Sequence, residues 1–197
     1  FPDEKIFISY HQITELYFKL VLHEQKQLVE MEHLTADFVI EKLNRIISYF
    51  RIQTSYFDVI IRGMEREQFL KFRMALLPAS GFQSAQFRMI EIYSTPLHNL
   101  VHTEVREHFS QNFNLNELYQ NVYWKKGGIS SDTGEKTLTL RQFEKEYDEV
   151  FLRLAKKLKE KTLYDLYKSL PEEEKSNKKL IEALRNLDVS VNVKWLL

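Results

Sequence analysis

Two long stretches of apolar residues at helical spacing constrain this chain more than anything else in it. Between Tyr10 and about His33 they are Ile13, Leu16, Tyr17, Leu20, Val21, Leu28 and Met31; between Ala36 and about Ile61 they are Val39, Leu43, Ile46, Ile47, Phe50, Phe57 and Ile60. A 3.6-residue period puts each set on one face, so the spacing predicts two long amphipathic helices, each with a buried stripe, packed on one another. Five glycines and four prolines leave few places for tight turns, which also favours long helices. Shorter helices are expected over Glu65 to Leu76, Phe82 to about Tyr93, and near 162–170 and 177–187, with Leu138 to about Lys159 forming a longer one. Thr95-Pro96 reads as a helix start. Residues 123–137, YWKKGGISSDTGEKT, lack periodicity and read as a surface loop or small hairpin. Only VSVNV near 189–193 alternates like a strand, and it is too short to force a sheet. The expected fold is all-α, a bundle of long antiparallel helices in one domain over 1–197.

Charge and cysteine content narrow the function. The 28 basic and 28 acidic residues cancel, which argues against nucleic acid as a partner. With no cysteine, disulfides, thiolate catalysis and cysteine metal sites are excluded. No apolar run is long enough to span a bilayer, so no membrane partner and a cytoplasmic setting are expected. Phe1 is not a methionine and VNVKW at the end looks like the start of another segment, so the chain reads as cut at both ends.

A Pro-Ala-Ser-Gly turn between two helical segments, in FLKFRMALLPASGFQSAQFR at 69–88, is a candidate ligand loop. Pro78 should end one helix, and Gly81 permits a left-handed backbone that can approach a ligand closely. Ser80 and Gly81 could donate to a ligand or cap the next helix. Arg73 follows Phe69 by one turn, so a guanidinium and a ring point the same way. Its planar fork suits a carboxylate, either of a ligand or of Glu15 or Glu91 within the fold. Phe7, His11 and Glu15 lie four apart on one face if the first helix begins near residue 6; His11 is either a ligand group or a capping or core histidine. His98 and His102 have the spacing that can hold a metal from one helix face, but a third ligand is missing, and Glu30 with His33 makes only one half of a di-iron pattern.

Taken together, FPDEKIFISYHQITELYFKLVLHE at 1–24 and FLKFRMALLPASGFQSAQFRMIE at 69–91 closely resemble tryptophan 2,3-dioxygenase. The resemblance is strong over the first half and weaker from 95 to 197. It implies an all-α homotetramer that binds haem b and inserts O2 across the indole double bond of L-tryptophan to give N-formylkynurenine. It implies that Phe7 lines the indole pocket, that His11 is the distal histidine bonding the indole N–H, and that Arg73 clamps the substrate carboxylate. Phe69 falls where many bacterial members carry a tyrosine that helps hold that carboxylate. Ser80 and Gly81 are expected beside the distal haem face.

The family's proximal iron ligand is a histidine shortly after a tryptophan, and here Trp195 is followed by only two residues, so that ligand is expected just beyond Leu197. The family's glycine-rich substrate loop and N-terminal arm are likewise not found. As it stands the chain is expected to bind haem poorly or not at all and to be inactive. Two other readings share the same residues: a relative acting on a modified indole, and a haem-free helical protein that binds a ligand or partner in the old pocket.

Overall fold

The computed structural model describes residues 1–76, 83–109, 114–130 and 132–195. Among them there is no strand, only two isolated β-bridges, so the all-α expectation holds. The chain forms two compact units, Phe1–Met74 with Leu166–Leu197, and Ala75–Asp165.

In the first unit α1 (Pro2–Glu30) and α2 (Ala36–Gly63) lie along one another, α3 (Arg66–Leu76) follows after two residues, and α11 (Lys178–Trp195) packs on α2. Pro2 sits in the first turn of α1, where its missing N–H is no loss and its fixed φ suits a helix. The helix therefore starts well before the apolar periodicity does. Thr35 caps α2 by accepting from the Phe38 N–H at 3.3 Å, and the Glu174 carboxylate accepts from Ala36 N at 2.5 Å. The core is Val21, Leu22 and Leu28 from α1, Leu43, Ile46, Ile47 and Phe50 from α2, and Leu180 and Ala183 from α11. Glu24, buried in this core, is neutralised by Lys42 at 3.1 Å and Arg45 at 2.8 Å across the helix pair.

The predicted stripe on α1 is buried only in part. Val21 and Leu28 are inside, whereas Ile6, Ile13, Leu16 and Leu20 are exposed, Leu16 by 63%. Those four share one face of the helix by their spacing. The alternating VSVNV segment is no strand: it continues α11 as helix, because packing on α2 outweighs the weak β preference of valine.

In the second unit α4 (Ala85–Ser94) and α6 (Leu115–Gln120) pack on α8 (Leu138–Lys157). The short helices α5 (Thr103–Arg106) and α7 (Tyr123–Lys126) complete it, and α9 (Leu163–Ser169) and α10 (Glu172–Lys175) lead back toward α11. Ser84 caps α4, accepting from Phe87 N at 3.2 Å, so the helix starts three residues after the expected Phe82. The 123–137 stretch is a small hairpin only from Ile129 to Lys136, with Ser130 N donating to Glu135 O at 2.8 Å. Gly128 lies so close to α8 that a Cβ there would meet Leu140 at 2.7 Å. The residues before it, expected at the surface, form α7 and bury Trp124 and Lys125. Thr95-Pro96 leads into a single 3-10 turn, Leu97–Leu100. No helix among the described residues is long and apolar enough to cross a membrane.

Candidate functional site

Phe7 and His11 sit one turn apart on α1, with ring centroids 4.2 Å apart. His11 Nδ1 lies 2.8 Å from the Phe7 carbonyl oxygen. A carbonyl oxygen only accepts, so Nδ1 carries the proton, and in the neutral ring Nε2 is left as an acceptor. The side chain is exposed.

Aromatic side chains from three helices surround it. From α3, Phe69 and Phe72 approach the Phe7 ring at 6.3 and 5.6 Å and meet each other edge to face. From α2, Phe57 stands edge-on to His11 at 6.4 Å and stacks on Tyr56. Tyr56 is held in turn: the Thr14 hydroxyl lies 2.9 Å from the Tyr10 carbonyl and 2.6 Å from the Tyr56 hydroxyl. Since Thr14 donates to the carbonyl, Tyr56 donates to Thr14. Burial raises the Tyr56 hydroxyl above its ordinary pKa, so it stays a neutral donor. Edge-to-face and offset contacts of this kind hold rings in place beyond the burial of their area.

The structure places the Phe7 ring between His11 and Phe69. It adds Phe57, Phe72 and Tyr56, which the periodicity had marked at most as core. Phe57 continues the α2 stripe seven residues after Phe50, but near the end of the helix pair the stripe opens, and Phe57 is only half-buried. Arg73 lies on α3 one turn beyond Phe69; its side chain is outside the described residues. Ser80 and Gly81 also lie outside them. Glu91, one of the alternative partners for Arg73, is taken up by Arg88 and Tyr123.

The remaining polar clusters have structural partners. Arg88, 1% exposed, donates to Glu91 at 2.8 Å and to the Tyr123 hydroxyl at 2.9 Å, and Tyr123 donates to the other Glu91 oxygen. Its guanidinium also lies over the rings of Phe87, Tyr123 and Trp124. Burial pushes the Glu91 carboxyl up to about 7, against the lowering effect of Arg88 and Tyr123. Lys125 is paired with Glu144 at 2.9 Å and Asp148 at 3.3 Å. His98 lies in the 3-10 turn, while His102 caps α5 and accepts from Glu104 N at 3.4 Å. The i, i+4 pair is therefore not on one helix face. The open groove of about 850 Å³ in the second unit, walled by Ile92, Leu97, Leu115, Leu152 and Leu158, is lined by His98 but by none of Phe7, His11, Phe69, Arg73, Ser80 and Gly81.

Among the described residues no three histidine, aspartate or glutamate side chains converge as metal ligands. A haem needs a flat apolar slot and an axial ligand on one side of it. The side chains beside His11 supply one aromatic wall of such a slot. These residues by themselves do not make a complete haem site.

Comparison with known proteins gives the family to which this sequence is similar. The sequence model of the family described as tryptophan 2,3-dioxygenase matches residues 1–189. Similar curated proteins include a tryptophan 2,3-dioxygenase of Alteromonas mediterranea, 41% identical over 98 residues, which is 46% of this chain and 26% of that protein. The one of Anaeromyxobacter sp. strain K is 43% identical over 90 residues, 45% of this chain and 34% of the relative. The mouse enzyme of the same name is 35% identical over 125 residues, 59% of this chain and 30% of the relative. The chain spans about a quarter to a third of the length of these relatives.

Proposed function

The chain belongs to the tryptophan 2,3-dioxygenase family, and on that premise we propose that it supplies the substrate-orienting wall of a dioxygenase that converts L-tryptophan and O2 to N-formylkynurenine. The observation that carries this reading is the tautomer of His11: with Nδ1–H held by the Phe7 carbonyl, Nε2 accepts. An acceptor set in an aromatic cluster selects a flat ring that has an N–H to give. Phe7 packs the indole, flanked by Phe57 and Phe69, and Arg73 takes the carboxylate through a bidentate pair that fixes orientation. Ser80 and Gly81 line the pocket beside the cofactor. His11 orients the ring and holds its N–H; it is not required to take the proton.

Haem b, expected of this family, supplies the oxygen chemistry, and the protein supplies binding and orientation. The working form is a homotetramer in the cytoplasm. The uncovered stripe of Ile6, Ile13, Leu16 and Leu20 supports an assembly, since an apolar helix face of this length is a surface that a partner would bury.

The test is tryptophan-dependent formation of N-formylkynurenine by the complete, haem-loaded enzyme that contains this chain, followed by its ultraviolet absorbance, in wild type and His11→Ala. Wild type is expected to form it, and His11→Ala to bind L-tryptophan about tenfold more weakly, the worth of one neutral hydrogen bond. If affinity and turnover are both unchanged in His11→Ala, the role given to His11 is wrong.

A further inference from the structure

We propose that Tyr56 and Thr14 act together as positioning residues: their hydroxyl pair holds the Phe57 ring edge-on to His11, and so fixes the imidazole that reads a ring N–H. The proposal rests on the substrate reading above and adds two residues to it. Neither is assigned a contact with the substrate.

Tyr10, Thr14 and Tyr17 lie on one face of α1, and Tyr49 and Tyr56 on one face of α2, where the two helices pack. Their rings meet across that seam: Tyr56 lies 5.3 Å from Tyr10 and 6.0 Å from Tyr17, and Tyr17 lies 6.3 Å from Tyr49. Within it the Thr14 hydroxyl donates to the Tyr10 carbonyl one turn back, at 2.9 Å, as a threonine inside a helix commonly does. A hydroxyl has a single proton, so Thr14 can only accept at its 2.6 Å contact with the Tyr56 hydroxyl. The bonds therefore run in one direction, from the Tyr56 hydroxyl on α2 through Thr14 to the backbone of α1.

Phe57 carries that anchorage to His11. Successive residues on a helix do not face each other, yet the Phe57 ring stacks on Tyr56 at 5.4 Å and 21°. The helix alone does not impose such a stack, so the position of Phe57 depends on what holds Tyr56. Phe57 in turn stands at 80° to the imidazole, 6.4 Å away, while Phe7 lies 4.2 Å from it on the same helix. The bond from Nδ1 to the Phe7 carbonyl sets the tautomer, and a single bond of this kind still lets the ring swing about it. The edge of Phe57 limits that swing. A hydrogen bond weakens steeply as its angle closes, so an imidazole held in one orientation discriminates a ring N–H better than a loose one. Were the hydroxyl pair only a tie between α1 and α2, its loss would affect every ligand alike.

The test uses the complete, haem-loaded enzyme that contains this chain. Dissociation constants are measured by calorimetry for L-tryptophan and for its benzothiophene analogue, in which sulfur replaces the ring N–H. Wild type is expected to prefer L-tryptophan by about tenfold. Tyr56→Phe and Thr14→Val, which remove a hydroxyl and keep the bulk of the side chain, are each expected to lower that preference to about threefold or less. The loss should fall on L-tryptophan, with the analogue changed by less than about twofold. The double variant should lose no more than either single one, because both break the same bond. Thr14→Ser retains the acceptor and should keep the wild-type preference; Tyr56→Phe carries the test should Thr14→Val not fold. A full preference in Tyr56→Phe, or an equal loss for both ligands, would overturn the proposal. A wild type with no preference would overturn the reading of His11 instead, which keeps the two failures apart.

Discussion

Around His11 the first unit leaves one ring nitrogen and a half-exposed aromatic wall on offer, whereas around Arg88 the second unit turns a guanidinium, a carboxylate and a phenol toward one another inside the fold. Both clusters are rich in aromatic rings, and both contain groups that could do chemistry. What separates them is capacity: Glu91 accepts from Arg88 on one oxygen and from Tyr123 on the other, while the exposed His11 keeps Nε2 as an acceptor. A perturbed carboxyl can belong to a closed structural network, and on the reading proposed above the unspent acceptor of His11 is the better guide to a site.

The largest effect that would sharpen this contrast is on stability. Arg88→Ala leaves Glu91 and Tyr123 buried without their cation and is expected to cost about 3–5 kcal/mol, read as a loss in denaturant midpoint. Were the Arg88 cluster the ligand site, the same change would instead weaken L-tryptophan binding in protein that remains stable.

The Glu91 carboxyl supplies the next effect. Its pKa in the folded protein is raised, so the folded state holds a proton that the unfolded chain gives up. Its contribution is then fully present below the ordinary value and is lost as pH rises toward about 7. Between about pH 4.5 and 7 this amounts to roughly 3 kcal/mol, the value of the shift converted at 1.4 kcal/mol per pH step. Glu91→Gln should flatten that part of the stability–pH curve. A curve of unchanged slope in the variant would show that Glu91 is not the group responsible.

On the other side of the comparison, Phe57→Leu keeps an apolar side chain but removes the edge-on ring beside His11. It should weaken L-tryptophan by about fivefold, near 1 kcal/mol, with little change in stability. The smallest effect is expected at Arg153, whose 2.7 Å pair with Glu149 is on the surface. Arg153→Ala should shift stability by less than about 0.5 kcal/mol and leave binding alone.

Much of the first unit is legible in the sequence, because a helix writes its buried face directly into residue spacing. Val21, Leu28, Leu43, Ile46 and Phe50 were placed by period alone, and so was the pairing of Phe7 with His11 on one face. The same rule overreached at Ile13, Leu16 and Leu20, since periodicity reports that a face is apolar and not what covers it. It was silent on α7, where Lys125 is buried against Glu144 and Asp148, about twenty residues away in sequence. Phe57 was seen but read as core, because nothing local tells where along α2 the packing opens. The tautomer of His11 needed the Phe7 carbonyl at 2.8 Å, which spacing permits but does not require.

The account turns on an N–H meeting His11, and one paired measurement addresses that directly. Dissociation constants of L-tryptophan and of its benzothiophene analogue, in which sulfur replaces the ring N–H, are compared in wild type and in His11→Ala. Wild type should favour L-tryptophan by about tenfold, and the variant should bind the two about equally. If His11→Ala keeps the full preference for L-tryptophan, the N–H is read by another group and the central claim fails.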